Sequence, residues 1–316
     1  VLVAMRSDGR LVNVLEEACS KKETYRCPAC QAPVCFKQGK VMRPHFAHIR
    51  LADCQFFHEN ESAEHLELKA ALYRSLSAHG ISVEIEAVLP ELGQVADLLV
   101  NGSLVLEVQC SRLSLVRLRE RTVAYQQAGY QVIWLLGKKL WLGQTASQLH
   151  RQMANFSQNM GIYLWELDAV KQELRLRYLL HEDLTGRLQG LVMSRPLSGD
   201  VMDFLRQPFA SQRSAQLTVD VLADPATYVQ RQLVQKNTRW LERQAQAYTR
   251  GDNLLTWSAA AFYPQVQPMA VEGLDLGRYL AQFTAFYEKN GATSRQTLYP
   301  PRFYAIMENR TIGKEQ

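Results

Sequence analysis

The apolar positions along the chain fall into short alternating runs at first and longer periodic ones later. Leu2-Val-Ala-Met5 and Leu11-Val-Asn-Val14 flank Ser7-Asp-Gly9, which predicts a β-hairpin. Ala32 to Lys37 and Val41 to His48 flank Gln38-Gly39-Lys40 and predict a second. Leu66, Ala70, Tyr73 and Leu76 then recur at helical spacing, so Ser62 to Ala78 is expected to be a helix. Ile81 to Val88, Val95 to Val100 and Leu104 to Cys110 have the composition of three strands. Ser114 to Ala128 reads as a helix between a Ser cap and Gly129, and Gln131 to Leu136 as a buried strand. The order αβββαβ is one α/β layer unit.

Beyond residue 146 the composition shifts toward Gln, Arg and aromatics. Ser147 to Asn159, Thr227 to Arg250 and Asp275 to Asn290 are expected to be helical, and Gly161 to Asp168 with Glu173 to Leu180 a hairpin. Leu184 to Thr218, with its Gly and Pro, is expected to be irregular, and the polar Met307 to Gln316 disordered. The predicted organisation is a β-hairpin segment over 1–56, an α/β core over 57–146 and a helix-rich domain over 147–316.

Composition narrows this only a little. The 316 residues are 47% hydrophobic and 21% charged, values of a soluble globular chain. A net charge of +5 permits nucleic-acid binding without arguing for it. No run of 18 apolar residues predicts a membrane span, and Val1 to Arg10 has no apolar stretch typical of a signal peptide. Three of the six cysteines stand near histidines, which favours a metal in a reducing compartment over a disulfide framework. Cys19, Cys35 and Cys110 read as ordinary thiols.

Cys27-Pro-Ala-Cys30 presents two thiolates from one turn, and a tetrahedral zinc needs two more ligands. His45, His48 and Cys54 are three candidates for two places. On a regular strand His45 and His48 point to opposite faces, so only one of them is available. His48 with Cys54 is the preferred pair and His45 the alternative. Such a zinc is structural, folding a segment too small to bury its own core.

Phosphodiester cleavage needs hard oxygen ligands converging on Mg²⁺ or Mn²⁺. Asp97 and Glu107 supply them if Asn101-Gly102-Ser103 is a three-residue loop pairing Val100 with Leu104. Asp97 then falls opposite Glu107, with Gln109 on the same face; a two-residue Asn-Gly loop would send Glu107 to the other face. Like charges that close raise at least one pKa when no metal lies between them. Glu61, His65 and Lys69 form one helical stripe, with Glu61 a candidate third ligand and His65 a candidate contact to phosphate or water. A solvated polar face is the plainer account of His65 and Lys69. Arg121 and Tyr125 lie one turn apart near Arg112, Arg117 and Arg119, a set suited to a DNA backbone or simply to solvent.

Taken together, the runs Tyr25-Arg-Cys27-Pro-Ala-Cys30, His45-Phe-Ala-His48, Cys54, Glu61-Ser-Ala-Glu-His65, Ala96-Asp97, Glu107-Val-Gln109-Cys-Ser111, Arg121-Thr-Val-Ala-Tyr125 and Ile133-Trp-Leu resemble the competence protein CoiA family. Phe156-Ser-Gln-Asn-Met160, Tyr178-Leu-Leu-His-Glu-Asp183 and Leu298-Tyr-Pro-Pro301 resemble its streptococcal branch. The resemblance implies a PD-(D/E)XK-type nuclease core and a role in recombining transforming DNA. It also implies a cytoplasmic site of action beside the RecA recombinase and the DNA-uptake machinery. Asp97 and Glu107 match the superfamily's metal carboxylates, Glu61 its helical acid, and Gln109 stands where a Lys is usual. Gln brings no charge to the transition state, so Lys69 or Arg121 substitutes, or the site is slower, or it binds DNA without cutting. The expectation is therefore a zinc-containing, Mg²⁺-dependent deoxyribonuclease acting on single-stranded or branched DNA. Asp97, Glu107, Gln109, Glu61 and His65 form its centre, and Lys69, Arg121 and Tyr125 hold the strand. The alternatives are a non-catalytic DNA-binding adaptor that recruits RecA, and a resolving enzyme for branched DNA.

Overall fold

The computed structural model describes residues 1–39, 42–50, 61–211 and 213–312. Five short strands open it: β1 (Val3–Arg6), β2 (Leu11–Asn13), β3 (Tyr25–Arg26), β4 (Pro33–Lys37) and β5 (His45–His48). They form one sheet in the order β2-β1-β3-β4-β5. Both expected hairpins are present, with Met5 paired to Leu11 and Lys37 to His45. In the second, pairing begins at His45; Lys40 and Val41, expected in its turn and strand, lie outside the described residues. Phe46, Tyr25, Val12 and Ala4 fill a small core of their own.

The next stretch comprises α1 (Ala63–Ala78), β6 (Val83–Leu89), β7 (Gln94–Val100), β8 (Leu104–Gln109), α2 (Leu115–Gln127) and β9 (Gln131–Leu136). This is the predicted αβββαβ order. Ser62 caps α1 by accepting the His65 amide, and Ser114 caps α2 by accepting that of Arg117. The strands β6, β7 and β8 are antiparallel, and β9 joins β8 in parallel through the α2 crossover. Leu68, Leu72 and Leu76 of α1 pack with Leu98, Leu104 and Leu106 on one face. Tyr125 of α2 packs with Leu99 and Val105 on the other.

The sheet does not end at residue 146. After α3 (Gln148–Met153) and β10 (Asn155–Ser157), β11 (Gly161–Asp168) lies parallel to β9, followed by β12 (Glu173–Glu182) and β13 (Leu188–Pro196). The path is β13-β12-β11-β9-β8-β7-β6, so the boundary expected at 146/147 falls inside one hydrogen-bonded sheet. All eight residues of β11 are buried, as a central strand requires. The helix expected over 147–159 stops at Met153, because Asn155 to Ser157 pair with β11 instead.

Leu184 to Thr218, expected to be irregular, contains β13 and α4 (Val201–Arg206). One glycine of that stretch, Gly190, lies within β13. A Cβ at that position would lie 2.8 Å from Leu180 Cδ2 and 3.1 Å from the Tyr178 oxygen, so the glycine permits close approach beside a bulge in β12. The remainder holds β14 (Leu217–Asp220), α5 (Pro225–Val234), α6 (Thr238–Thr249), β15 (Gln267–Pro268), α7 (Gly277–Asn290), β16 (Arg295–Leu298) and α8 (Pro301–Ile312). The single helix expected over 227–250 is two, broken where Lys236 takes a φ of 55° and Asn237 caps α6. Residues 307–312, expected to be disordered, continue α8. Among the described residues no helix is long and apolar enough to cross a membrane.

Candidate functional site

The Cys27–Cys30 turn is closed by two backbone bonds, Gln31 N to Cys27 O and Cys27 N to Ala32 O, each 2.9 Å, with Gln31 at a φ of 61°. β5 runs antiparallel to β4 and brings His48 over it. The ligand atoms of Cys27, Cys30 and His48 all lie within 4.8 Å of one another. Cys30 Sγ is 3.4 Å from His48 Nε2. A tetrahedral zinc with its usual bond lengths sets such a pair about 3.5 Å apart, so three donors fit the ion. His45 is not in this group; its Nδ1 lies 2.9 Å from the Arg43 oxygen. Cys54, the expected fourth ligand, lies outside the described residues.

The acidic cavity opens where β7 and β8 part. Val100 pairs with Leu104 around Asn101, Gly102 and Ser103, so the loop has three residues. Leu98 with Leu106 is the last pair, and one position further Asp97 faces Glu107. There the Asp97 Oδ2 accepts the Val108 amide at 2.9 Å. On the other side, the pairs Ile85–Leu98 and Ala87–Ala96 bracket Glu86 against Asp97. Three acidic residues thus stand abreast on three strands. The cavity they border holds about 480 Å³, with His65 and Lys69 of α1 on its wall and Glu61, expected on the helix, just ahead of the Ser62 cap.

Asp97 and Glu107 are held differently. Asp97 lies 3.0 Å from His65 Nε2 and 3.5 Å from Lys69 Nζ. Burial opposes its ionisation, but those two cations overcome this and bring its pKa down to about 2. His65 is raised in turn, against its own burial, chiefly by Asp97. Glu107 is 2% exposed and accepts from Arg121 Nη2 at 2.6 Å and from the Tyr125 hydroxyl at 2.5 Å. Burial, with Asp97 adding to it, outweighs Arg121 and leaves Glu107 at about 7. Glu61 contacts the Lys69 ammonium, which overcomes burial and holds its carboxyl well below the usual range.

The donor atoms of Glu61, His65 and Asp97 lie within 4.8 Å of one another, a second group able to hold an ion. Carboxylate oxygens with one imidazole suit Mn²⁺ or Mg²⁺. Glu107 is outside that tight group because Arg121 and Tyr125 draw it toward α2. Gln109 lines the cavity, with its Nε2 donating to the Ser111 oxygen at 2.9 Å.

The three residues expected to grip DNA are placed otherwise. Lys69 is 1% exposed and sits among Glu61, Glu86 and Asp97. Tyr125 is fully buried, and Arg121 lies against Glu107. The stripes they occupy are the inward faces of α1 and α2, and the i, i+4 spacing alone did not distinguish inward from outward. The cations at the cavity mouth are instead Arg117 and Lys139, both exposed. Glu86 was missed altogether. Its signal resembled the one used for Asp97, an acid in a largely apolar strand, but Val83-Glu-Ile-Glu-Ala-Val-Leu89 carries two, Glu84 exposed and Glu86 buried.

A mixed α/β sheet with an acidic cavity, preceded by a small Cys/His sheet, defines the class. Residues 61–186 match the model of the competence protein CoiA nuclease-like domain, and residues 12–57 that of the CoiA N-terminal domain. Competence protein CoiA of Bacillus subtilis is 31% identical over 139 residues, which take in 43% of this chain and 37% of that protein. The chain belongs to the competence protein CoiA family. No solved structure matches it.

Proposed function

We propose that the chain is a metal-dependent deoxyribonuclease acting on transforming DNA, with a PD-(D/E)XK-like core. The observation that carries this reading is Asp97, opposite Glu107 and 3.5 Å from the Lys69 ammonium, in one cavity with Glu61 and His65. Asp97 and Glu107 would hold the ion, with Glu61 and His65 completing the donor set. Bound there, a divalent metal polarises the scissile phosphate and makes water more acidic. Lys69 supplies from the helix the positive charge that Gln109 lacks, facing charge that develops on the phosphate. Gln109 positions the attacking water. Arg117 and Lys139 meet the DNA backbone at the mouth. Zinc at Cys27, Cys30 and His48 would hold the N-terminal sheet.

The family's name supports a place in competence, where incoming single-stranded or branched DNA is recombined in the cytoplasm with RecA and the uptake machinery as partners. A second reading, a DNA-binding adaptor that recruits RecA, is favoured by one feature: Glu61, Asp97 and Glu107 each already have a cationic side chain as partner. The test is incubation of the full chain with Mn²⁺ and single-stranded, linear duplex and branched DNA. Cleavage of at least one, lost in Asp97→Asn, supports the nuclease. Binding without cleavage of any supports the adaptor.

A further inference from the structure

Glu86 has no part in the reading above, yet it is buried at the centre of the charge network. It interrupts β6 with a φ of 54°, a left-handed conformation that a glutamate takes only when its surroundings hold it. Its two oxygens face two parts of the molecule. Oε1 accepts from Lys69 Nζ at 2.6 Å. Oε2 accepts the backbone amides of Leu2 at 2.7 Å and Val3 at 3.0 Å, where β1 of the N-terminal sheet begins. Leu2 itself is fully buried against Leu66, Ala70 and Ile85. One carboxylate therefore links the N-terminal sheet to the lysine of the cavity.

Lys69 has three carboxylate neighbours, Glu61, Glu86 and Asp97. Glu61 and Asp97 belong to the group able to hold an ion; Glu86 does not. An ammonium and a divalent ion compete for the same oxygens. We propose that Glu86 is a positioning residue: it retains Lys69 when a divalent ion takes Asp97 and Glu61, and through it the N-terminal sheet sets where that ammonium stands. The proposal rests on the metal reading of the cavity. Without Glu86, Lys69 keeps only the metal's own donors as partners and competes with the ion more strongly.

The experiment is Mn²⁺ affinity of the full chain, measured by electron paramagnetic resonance at constant zinc content and pH. It compares wild type, Glu86→Gln, Lys69→Met and the double variant. Glu86→Gln is expected to bind Mn²⁺ about tenfold more weakly than wild type. Lys69→Met binds more tightly, and the double variant binds like Lys69→Met, because Glu86 acts on the ion only through the lysine. Wild-type affinity in Glu86→Gln overturns the proposal. So does a double variant as weak as Glu86→Gln, the outcome of a packing role alone. The double variant removes both halves of a buried ion pair and so keeps the test open if Glu86→Gln fails to fold. In that case the double variant binding more weakly than Lys69→Met overturns the proposal, and equal binding supports it. Absence of Mn²⁺ binding in wild type overturns the metal reading and this proposal with it. A failure confined to the variants overturns only the role of Glu86.

Discussion

Asp97 and Glu107 stand one position beyond the last β7–β8 pair, Leu98 with Leu106, and their carboxyl pKa values are displaced in opposite directions, to about 2 and about 7. The cause is the company each keeps. Asp97 is turned toward the two cations of α1. Glu107 is more deeply buried, with one guanidinium and a phenol. The pair is therefore asymmetric before any metal arrives, and neutralising one or the other has opposite consequences.

Glu107→Gln is expected to stabilise the metal-free protein above neutrality. The ordinary pKa of 4.5 rises to about 7 in the fold, so the folded state keeps a proton that the unfolded chain releases between those values. The stability this supplies is complete below pH 4.5 and lost as pH rises through 7. Thermal melts without added Mg²⁺ or Mn²⁺ should show variant and wild type close together at pH 4.5. They should separate to roughly 2–3 kcal/mol in favour of the variant by pH 8. A gap that does not change with pH would refute this account of Glu107.

Asp97→Asn is expected to destabilise by roughly 2–4 kcal/mol at pH 7, because it strands His65 and Lys69 beside one fewer carboxylate. Here the folded pKa lies below its ordinary 3.8. The stability it contributes is present above pH 3.8 and lost as pH falls toward 2. Denaturant titrations at pH 7 and near pH 3 check this. The deficit should shrink at the lower pH.

Tyr125→Phe deletes the hydroxyl that donates to Glu107 at 2.5 Å and leaves a buried carboxyl with one donor fewer. The expected loss is about 1–3 kcal/mol, with no change in DNA affinity, since Tyr125 is fully buried. Weakened DNA binding at unchanged stability would restore Tyr125 to a direct DNA contact.

Protein purified without chelators should carry about one zinc per chain, and Cys27→Ser or His48→Ala should lose it. Elemental analysis decides. Less than about half a zinc in wild type would count against the site.

The αβββαβ order was legible because caps and strand patterns agreed with the fold: Ser62 and Ser114 start their helices, and Asn101-Gly102-Ser103 turns the hairpin that aligns Asp97 with Glu107. Cys27, Cys30 and His48 were legible because their spacing is set by two local turns. The continuation of the sheet was not, because β9 and β11 pair in parallel across 24 intervening residues between Leu136 and Gly161, a contact no local pattern reports. Nor was the direction of the charged stripes. Lys69, Arg121 and Tyr125 carry polar atoms that look solvent-seeking, and the acids that draw them inward are distant in sequence, Glu86 and Asp97 for one and Glu107 for the other two. The same two-sided role hid Glu86, whose partners Leu2 and Val3 lie more than eighty residues away.

The central claim is that the cavity between Asp97 and Glu107 is a divalent-metal site. Crystals of the full chain grown with Mn²⁺, recorded near the manganese absorption edge, test it most directly. The account predicts an anomalous peak bonded to carboxylate oxygens of both Asp97 and Glu107, with Lys69 still paired to Glu86. A map with no peak in the cavity at saturating Mn²⁺, and Lys69 unmoved against Asp97 and Glu61, would contradict it.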